Sequence, residues 1–285
     1  MKNIWVLGSN GLVGEALKKN SSNTNDYSFH FLERKDFEIG NTNTVPFKEG
    51  DIVVDLVPSP FPREELNLTR EEYHQRFTDK HLAFIELAIK SGLDKYIFLS
   101  SGGTIYGDNP NKVNFIETDQ LNPVSFYGES KKIIEDFLIK ITGTHHTNYT
   151  ILRCSNIFNA DAGSLKQTGL IGVYLNRFRN KQTIDVFGDE GISKDYIANS
   201  DVADAILSVL QKGNNEVFNI GTGKSYSITN IINAFEKSFN QKAVISYKAS
   251  IRNDVKKFVL NSDKANGILN FKAKVDVIDW ILSIN

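Results

Sequence analysis

The feature that most constrains this chain is a glycine triplet between a strand and a helix within its first twenty residues. Ile4-Trp5-Val6-Leu7 is a short apolar run of the kind a fully buried strand shows, and Gly8-Ser9-Asn10-Gly11-Leu12-Val13-Gly14 follows it directly. Leu12, Ala16 and Leu17 then fall on one face of a helix over Gly11 to Lys19. Gly8 permits a tight turn, Gly11 lets a ligand approach the backbone, and Gly14 lets the helix pack on the strand. The free N–H groups at the helix start, around Asn10 and Leu12, form a ready site for phosphate.

The rest of the first half repeats this alternation. Strand-like runs recur at Phe29 to Leu32, Asp51 to Val57, Lys95 to Ser100 and Tyr149 to Cys154. Helical patterns fall between them over Arg63 to Ser91, stopped by Gly92, and over Ser125 to Ile141. Continuous apolar strands separated by helices specify a parallel sheet covered on both faces. The fold class is therefore α/β, a Rossmann doubly wound parallel sheet with a smaller C-terminal substrate-binding part. At about 150 residues per domain, the 285 residues make one or two domains. The expected division is 1–160 for the dinucleotide-binding domain and 161–285 for the substrate part. Strands near 183–187 and 217–220 complete or flank the first domain, a further strand is expected near 244–247, and helices over about 199–211 and 228–239 follow the looser segments.

Composition narrows the function. Lys and Arg number 33 against 34 Asp and Glu, a formal net charge of −1. Nucleic-acid and anionic-membrane binding need a basic excess that this chain lacks. No apolar run approaches the ~18 residues that span a bilayer, the N-terminus lacks a signal peptide's layout, and a cytoplasmic protein is expected. Cys154 stands alone, which excludes an intramolecular disulfide or a cysteine-based zinc site. His81, His145 and His146 have no metal-ligand spacing and read as packing or solvent-facing, His30 as structural, and no metal is expected.

The glycine turn reads as a dinucleotide site. Strand two ends Leu32-Glu33-Arg34-Lys35-Asp36, where Glu33 would accept hydrogen bonds from a ribose diol and favour NAD. Arg34 and Lys35 would instead pair a 2′-phosphate, and two cations outweigh one carboxylate. NADP is therefore the expected cofactor ahead of NAD. Asp36 would serve the adenine ring or cap the next turn, and Leu56 and Val57 at the end of strand three would wall the cofactor.

Tyr127-Gly128-Glu129-Ser130-Lys131 sets a phenol and an ammonium four apart on one helix face. A neighbouring ammonium draws a phenol from about 10 toward neutrality and makes it a usable acid or base. The preceding strand ends Phe98-Leu99-Ser100-Ser101-Gly102-Gly103-Thr104-Ile105-Tyr106-Gly107, at the sheet edge where such folds hold ligands, and supplies hydroxyls.

These three stretches, in this order and spacing, resemble the extended short-chain dehydrogenase/reductase family, and within it the nucleotide-sugar epimerases, dehydratases and ketoreductases. The resemblance continues through Leu152-Arg153-Cys154-Ser155-Asn156-Ile157-Phe158, Phe187-Gly188-Asp189 with Lys194-Asp195-Tyr196-Ile197, Asp201-Val202-Ala203, Phe218-Asn219-Ile220-Gly221-Thr222-Gly223 and Arg252-Asn253-Asp254-Val255. It spans about residues 3–284. The resemblance implies that Tyr127 exchanges a proton with a sugar oxygen while hydride moves between the sugar and nicotinamide. It implies that Lys131 holds the nicotinamide ribose, that Ser101 or Thr104 orients the reacting oxygen, and that Ser100 lines the cofactor site. Asn156, Lys194 and Tyr106 would contact the nucleotide sugar, and the guanidinium fork of Arg252 suits its diphosphate. A homodimer through helices at about 70–91 and 125–142 is also implied, as is a role in supplying sugars for cell-surface polysaccharide.

The chain departs from the family pattern at several positions. Gly102 stands where a serine or threonine is usual, so the hydroxyl must come from Ser101, Thr104 or a shifted loop. No Asp-Glu pair follows, which argues against 4,6-dehydration. Lys194 replaces an arginine, Val57-Pro58-Ser59-Pro60 alters the cofactor wall, and Phe77 replaces an asparagine. The leading reading is a nucleotide-sugar 4-epimerase. An NADPH-dependent reductase of 4-keto-6-deoxy nucleotide sugars is the alternative, and a non-catalytic dinucleotide-binding regulator the third.

Overall fold

Apolar strands with no solvent-facing side organise the structure. In the computed structural model, which describes residues 1–23, 26–33, 45–58, 68–109, 111–164, 166–188, 192–249 and 255–284, six parallel strands form the central sheet. They are β1 (Lys2–Leu7), β2 (Tyr27–Leu32), β3 (Ile52–Asp55), β4 (Lys95–Ser101), β5 (Asn148–Cys154) and β6 (Glu216–Ile220). Their order is β6-β5-β4-β3-β1-β2. β1 therefore sits between β2 and β3, and its end, where the glycine turn begins, lies beside the ends of both. A ligand crevice opens where successive crossovers leave in opposite directions, and this order creates one there.

Helices cover both faces. α1 (Leu12–Asn20) and α4 (Asn199–Val209) bury Val13, Leu17, Val202, Ile206 and Val209 against one face. α2 (Asp79–Lys90) and α3 (Phe126–His145) bury Phe84, Ile85, Ile89, Ile134 and Leu138 against the other. Each such side chain contributes roughly 1.5–3 kcal/mol when fully buried. Lys95 is buried within β4, where its ammonium donates to the carbonyls of Val209 at 2.6 Å and Lys212 at 2.9 Å. That contact satisfies carbonyls at the α4 C-terminus, where a cation is electrostatically favoured.

The helical pattern expected over Arg63 to Ser91 is helical over 70–90, while residues 63–67 lie outside the described ones. A Thr69–Glu72 capping box starts it, and His74–Thr78 forms a wider π-type turn before α2. β6 lies in the central sheet beside β5. The strand Ile184–Phe187 does not join it and pairs instead with Ile245–Lys248. A helix not expected from the sequence forms at Gly169–Arg179. With the helix Ile228–Phe239 it encloses a second core of Phe158, Ile171, Leu175, Phe178, Ile231 and Phe235.

Candidate active site

The turn after β1 is shaped by close approach. Gly8 has φ +73°, and a Cβ there would stand 2.9 Å from the Leu56 carbonyl. A Cβ on Gly14 would stand 2.4 Å from the Ser9 carbonyl. The Gly11 N–H closes the turn onto the Gly8 carbonyl at 2.9 Å. Gly11 also serves as the N-cap of α1, with no side-chain cap, so the first-turn N–H groups face outward at the positive end of the helix. Ser9 and Ser100 carry buried hydroxyls with no hydrogen-bond partner among the described residues. A buried polar atom left unpaired costs about 1–3 kcal/mol, so these residues fit a polar, phosphate-bearing ligand.

Around this turn, the Ser9 N–H donates to the Leu32 carbonyl at 3.4 Å and the Leu56 N–H to the Leu7 carbonyl at 3.2 Å. Glu33 and the wall residues Leu56 and Val57 thus stand at strand ends beside the glycines. Asn10 is also tied from the C-terminal part: Lys166 donates to its carbonyl at 2.8 Å and pairs with Glu15, while Lys19 pairs with Asp161 at 2.7 Å. Arg34, Lys35, Asp36 and Arg252 lie outside the described residues.

The Tyr127–Lys131 pair is set by the start of α3. The Ser125 hydroxyl accepts from the Gly128 N–H at 3.1 Å and caps the helix. A Cβ on Gly128 would meet the Thr104 carbonyl at 2.9 Å, so the helix start lies directly on the short helical turn Gly102–Ile105 that ends β4. This brings the Tyr127 phenol into hydrogen bonding with the Ser101 hydroxyl. The Thr104 hydroxyl is buried nearby in sequence with no hydrogen-bond partner among the described residues. At Gly102 a Cβ would stand 2.6 Å from a Leu260 methyl and 3.2 Å from the Arg153 carbonyl. Leu260 occupies the room a serine or threonine side chain would need.

The expected effect of the ammonium on the phenol is corrected. Burial pushes Tyr127 up to about 12, the Ser101 hydrogen bond opposing it only in part. Lys131 is itself drawn down to about 8 by burial, with Asp55 and Glu135 acting against that fall. Its ammonium donates to the Leu99 carbonyl at 3.0 Å and lies 4.5 Å from the Phe98 ring centre, but 5.9 Å from that of Tyr127. Desolvation outweighs a cation at that separation.

Tyr106 also needs correction. Its hydroxyl donates to Asn219 Oδ1 at 2.7 Å and accepts from Arg153 Nη1 at 3.0 Å, and its ring stacks on Phe115. It belongs to a buried network rather than to a substrate surface. Asn156 follows β5, with its Oδ1 only 3.3 Å from where a Cβ on Gly103 would stand, so it borders the same turn as Thr104. Lys194 lies on a two-residue strand between Lys257–Phe258 and Tyr226. Phe77 packs on Tyr73, ring centres 5.2 Å apart. His30 stacks on Trp5 at 4.3 Å and bonds Asn3.

Sequence reasoning missed Asp55. It is fully buried and joins His81, which the sequence read as packing or solvent-facing. The signal available was a carboxylate inside a continuous apolar strand. Among the described residues, no cluster of three or more His, Cys, Asp or Glu side chains could hold a metal, and no helix is long and apolar enough to cross a membrane.

Residues 4–221, from β1 and the glycine turn through the hydroxyl-bearing end of β4 to the residue after β6, match the family described as "NAD dependent epimerase/dehydratase family". The chain belongs to this family. Among its relatives, a dTDP-4-dehydro-6-deoxyglucose reductase of Escherichia coli is 29% identical over 270 residues, covering 94% of this chain and 84% of that one. A UDP-glucose 4-epimerase of Lacticaseibacillus casei is 27% identical over 271 residues, 89% and 78% of the two chains. The crystal structure of a UDP-glucose 4-epimerase from Thermotoga maritima with UDP-glucose superposes with a TM-score of 0.83 at 25% identity, covering 98% and 96%. The central sheet is the Rossmann-type fold of this family, and the chain is an NAD(P)-dependent nucleotide-sugar epimerase or oxidoreductase.

Proposed function

We propose that this chain inverts the hydroxyl at C4 of a nucleotide-activated hexose, in the manner of a UDP-sugar 4-epimerase. The observation that carries the reading is the meeting of the Tyr127 phenol with the Ser101 hydroxyl at the end of β4, with the buried Lys131 ammonium one helical turn on. A bound oxidised nicotinamide would supply reversible hydride exchange with the sugar carbon, and its positive charge would favour the phenolate. Tyr127 takes the proton of the C4 hydroxyl and later gives it back, and Ser101 donates a hydrogen bond to the same oxygen. Ser101 fills this role because position 102 is a glycine and the Ser101 hydroxyl meets the phenol. Lys131 holds the nicotinamide ribose through its ammonium. Gly8, Asn10, Gly11, Leu12 and Gly14 hold the pyrophosphate, Ser100, Leu56 and Val57 line the cleft, and Asn156, Lys194 and Arg252 take the nucleotide sugar. Arg34 and Lys35 favour NADP over NAD, and Glu33 binds the ribose when NAD is taken. Two chains would pair through α3, where Ile139 is exposed.

The E. coli reductase is 29% identical over 94% of this chain, against 27% over 89% for the L. casei epimerase, which supports a second reading: reduction of a 4-keto-6-deoxy nucleotide sugar with Tyr127 as proton donor. One experiment separates the two. The purified protein is incubated with UDP-glucose or UDP-galactose without added reductant, and the C4 epimer ratio is followed by NMR. Equilibration of the epimers supports the first reading. Loss of 340 nm absorbance from NADPH only with a 4-keto-6-deoxy sugar nucleotide establishes the second, and neither signal removes both.

A further inference from the structure

One buried carboxylate takes no part in the chemistry above, yet it shares a sheet face, beside Phe98, with the lysine that does. Asp55 ends β3 with no exposed surface. Its Oδ2 accepts from His81 Nε2 at 2.6 Å and from the Tyr96 hydroxyl at 2.7 Å, and its Oδ1 accepts from the Val57 N–H at 3.0 Å. His81 comes from α2, Tyr96 from β4. Tyr96 and Phe98 alternate onto the same face of β4, the face covered by α2 and α3. Asp55 is the register partner of Phe98 on the neighbouring strand, and the Lys131 ammonium sits 4.5 Å from the Phe98 ring centre. Carboxylate and ammonium thus converge on one residue of β4.

The alternatives for neutralising Lys131 are already committed. Glu135, one turn along α3, is held by Arg153 through both Nε and Nη2, the latter at 2.7 Å. Cys154, on β5, is a buried thiol whose burial keeps it protonated, and Tyr127 is a protonated phenol. The one hydrogen bond of Lys131 among the described residues goes to the Leu99 carbonyl, a neutral acceptor. A buried ammonium needs a compensating charge.

We propose that Asp55, fixed in place by His81 and Tyr96, is a positioning residue whose charge keeps Lys131 protonated and set at the end of β4 for its work in the active site. The proposal rests on the reading of Lys131 as the ribose-holding residue. Burial alone would raise the Asp55 carboxyl, but the adjacent imidazole of His81 and the hydrogen bonds of His81, Tyr96 and the Val57 N–H hold it below the usual carboxylate range. It is therefore ionised wherever the protein works. Its pull on Lys131 opposes the desolvation that lowers that group to about 8.

The test uses Asp55→Asn, which keeps the shape and removes the charge, with Tyr96→Phe as a control that removes one hydrogen bond and keeps the carboxylate. Thermal stability is measured from pH 6 to 10 without ligand. A lysine that loses its proton in the folded chain near 8 and in the unfolded chain above 10 makes stability climb with pH between the two. In Asp55→Asn that climb should begin about one pH unit lower, and in Tyr96→Phe it should begin where it does in the unaltered chain. In a Lys131→Met background the displacement should vanish. An unchanged onset in Asp55→Asn, or a displacement that persists with Lys131→Met, overturns the proposal. Should Asp55→Asn not fold, Asp55→Leu with His81→Leu removes the buried pair in favour of apolar volume and is read the same way. Binding of NAD and of NADP, titrated in parallel, separates this outcome from the wider reading. Absence of dinucleotide binding by the unaltered chain overturns the proposed function, while the stability curves still decide the role of Asp55.

Discussion

Arg153 and Glu135 form a two-pronged ion pair inside the protein, Nη2 to Oε2 at 2.7 Å and Nε to both carboxylate oxygens at 3.1–3.2 Å. Neither side chain is more than 6% exposed. Arg153 sits on β5 and Glu135 on α3, so the pair fixes the helix that carries Tyr127 and Lys131 against the sheet. Its remaining hydrogen bonds reach the Tyr106 hydroxyl and the Glu117 carbonyl.

Breaking this pair on one side should be costly. Glu135→Ala strands a buried guanidinium, and about 3–5 kcal/mol of stability should be lost. By contrast, Asp161→Ala removes the exposed Lys19–Asp161 pair and should cost about 1 kcal/mol or less. Urea midpoints of the two variants check the contrast, and equal losses would contradict the buried geometry.

Tyr127→Phe keeps the ring and removes the proton. Turnover should fall by about 10² to 10⁴-fold while dinucleotide affinity stays within twofold of the unaltered chain. Ser101→Ala removes the hydroxyl that meets the phenol and should also lower kcat, whereas Thr104→Ala tests whether its unpartnered hydroxyl shares the task.

Gly102→Ser places a hydroxyl at the position where the family resemblance implies one, but its Cβ lands 2.6 Å from Leu260. Overpacking of this sort costs about 1–3 kcal/mol. The single variant should therefore melt lower, and Gly102→Ser with Leu260→Ala should recover part of the overpacking loss. A single variant as stable as the unaltered chain would show that Leu260 moves aside freely.

Dinucleotide affinity should depend on pH through Lys131. Its folded value lies near 8, so the ammonium is intact below that pH and is lost as pH rises through it. The Kd for NAD should therefore weaken between pH 7 and 9, and Lys131→Met should flatten that dependence.

Cys154 is buried at the end of β5 and its thiol is pushed up by desolvation. Alkylation at pH 8 should be negligible in the folded protein and complete in urea. Rapid labelling without denaturant would place the thiol at the surface.

The amino-acid sequence by itself determined the parallel sheet, the glycine turn and the Tyr127–Lys131 spacing. Those depend on local periodicity, on residues that only a tight turn admits, and on helical geometry, all of which act over a few positions. The tertiary structure alone decided which hydroxyl meets the phenol, because the packing of the α3 start on the turn after β4 brings Ser101 to Tyr127 and leaves the Thr104 hydroxyl without a partner among the described residues. It alone decided that Tyr106 serves the Arg153 network, that Ile184–Phe187 pairs outside the central sheet, and that His81 joins Asp55. It also reversed the expected direction for the Tyr127 phenol, since the sequence sets the spacing of phenol and ammonium but not how much water surrounds them. Desolvation and contacts between distant segments belong to the packed chain, and no local pattern encodes them.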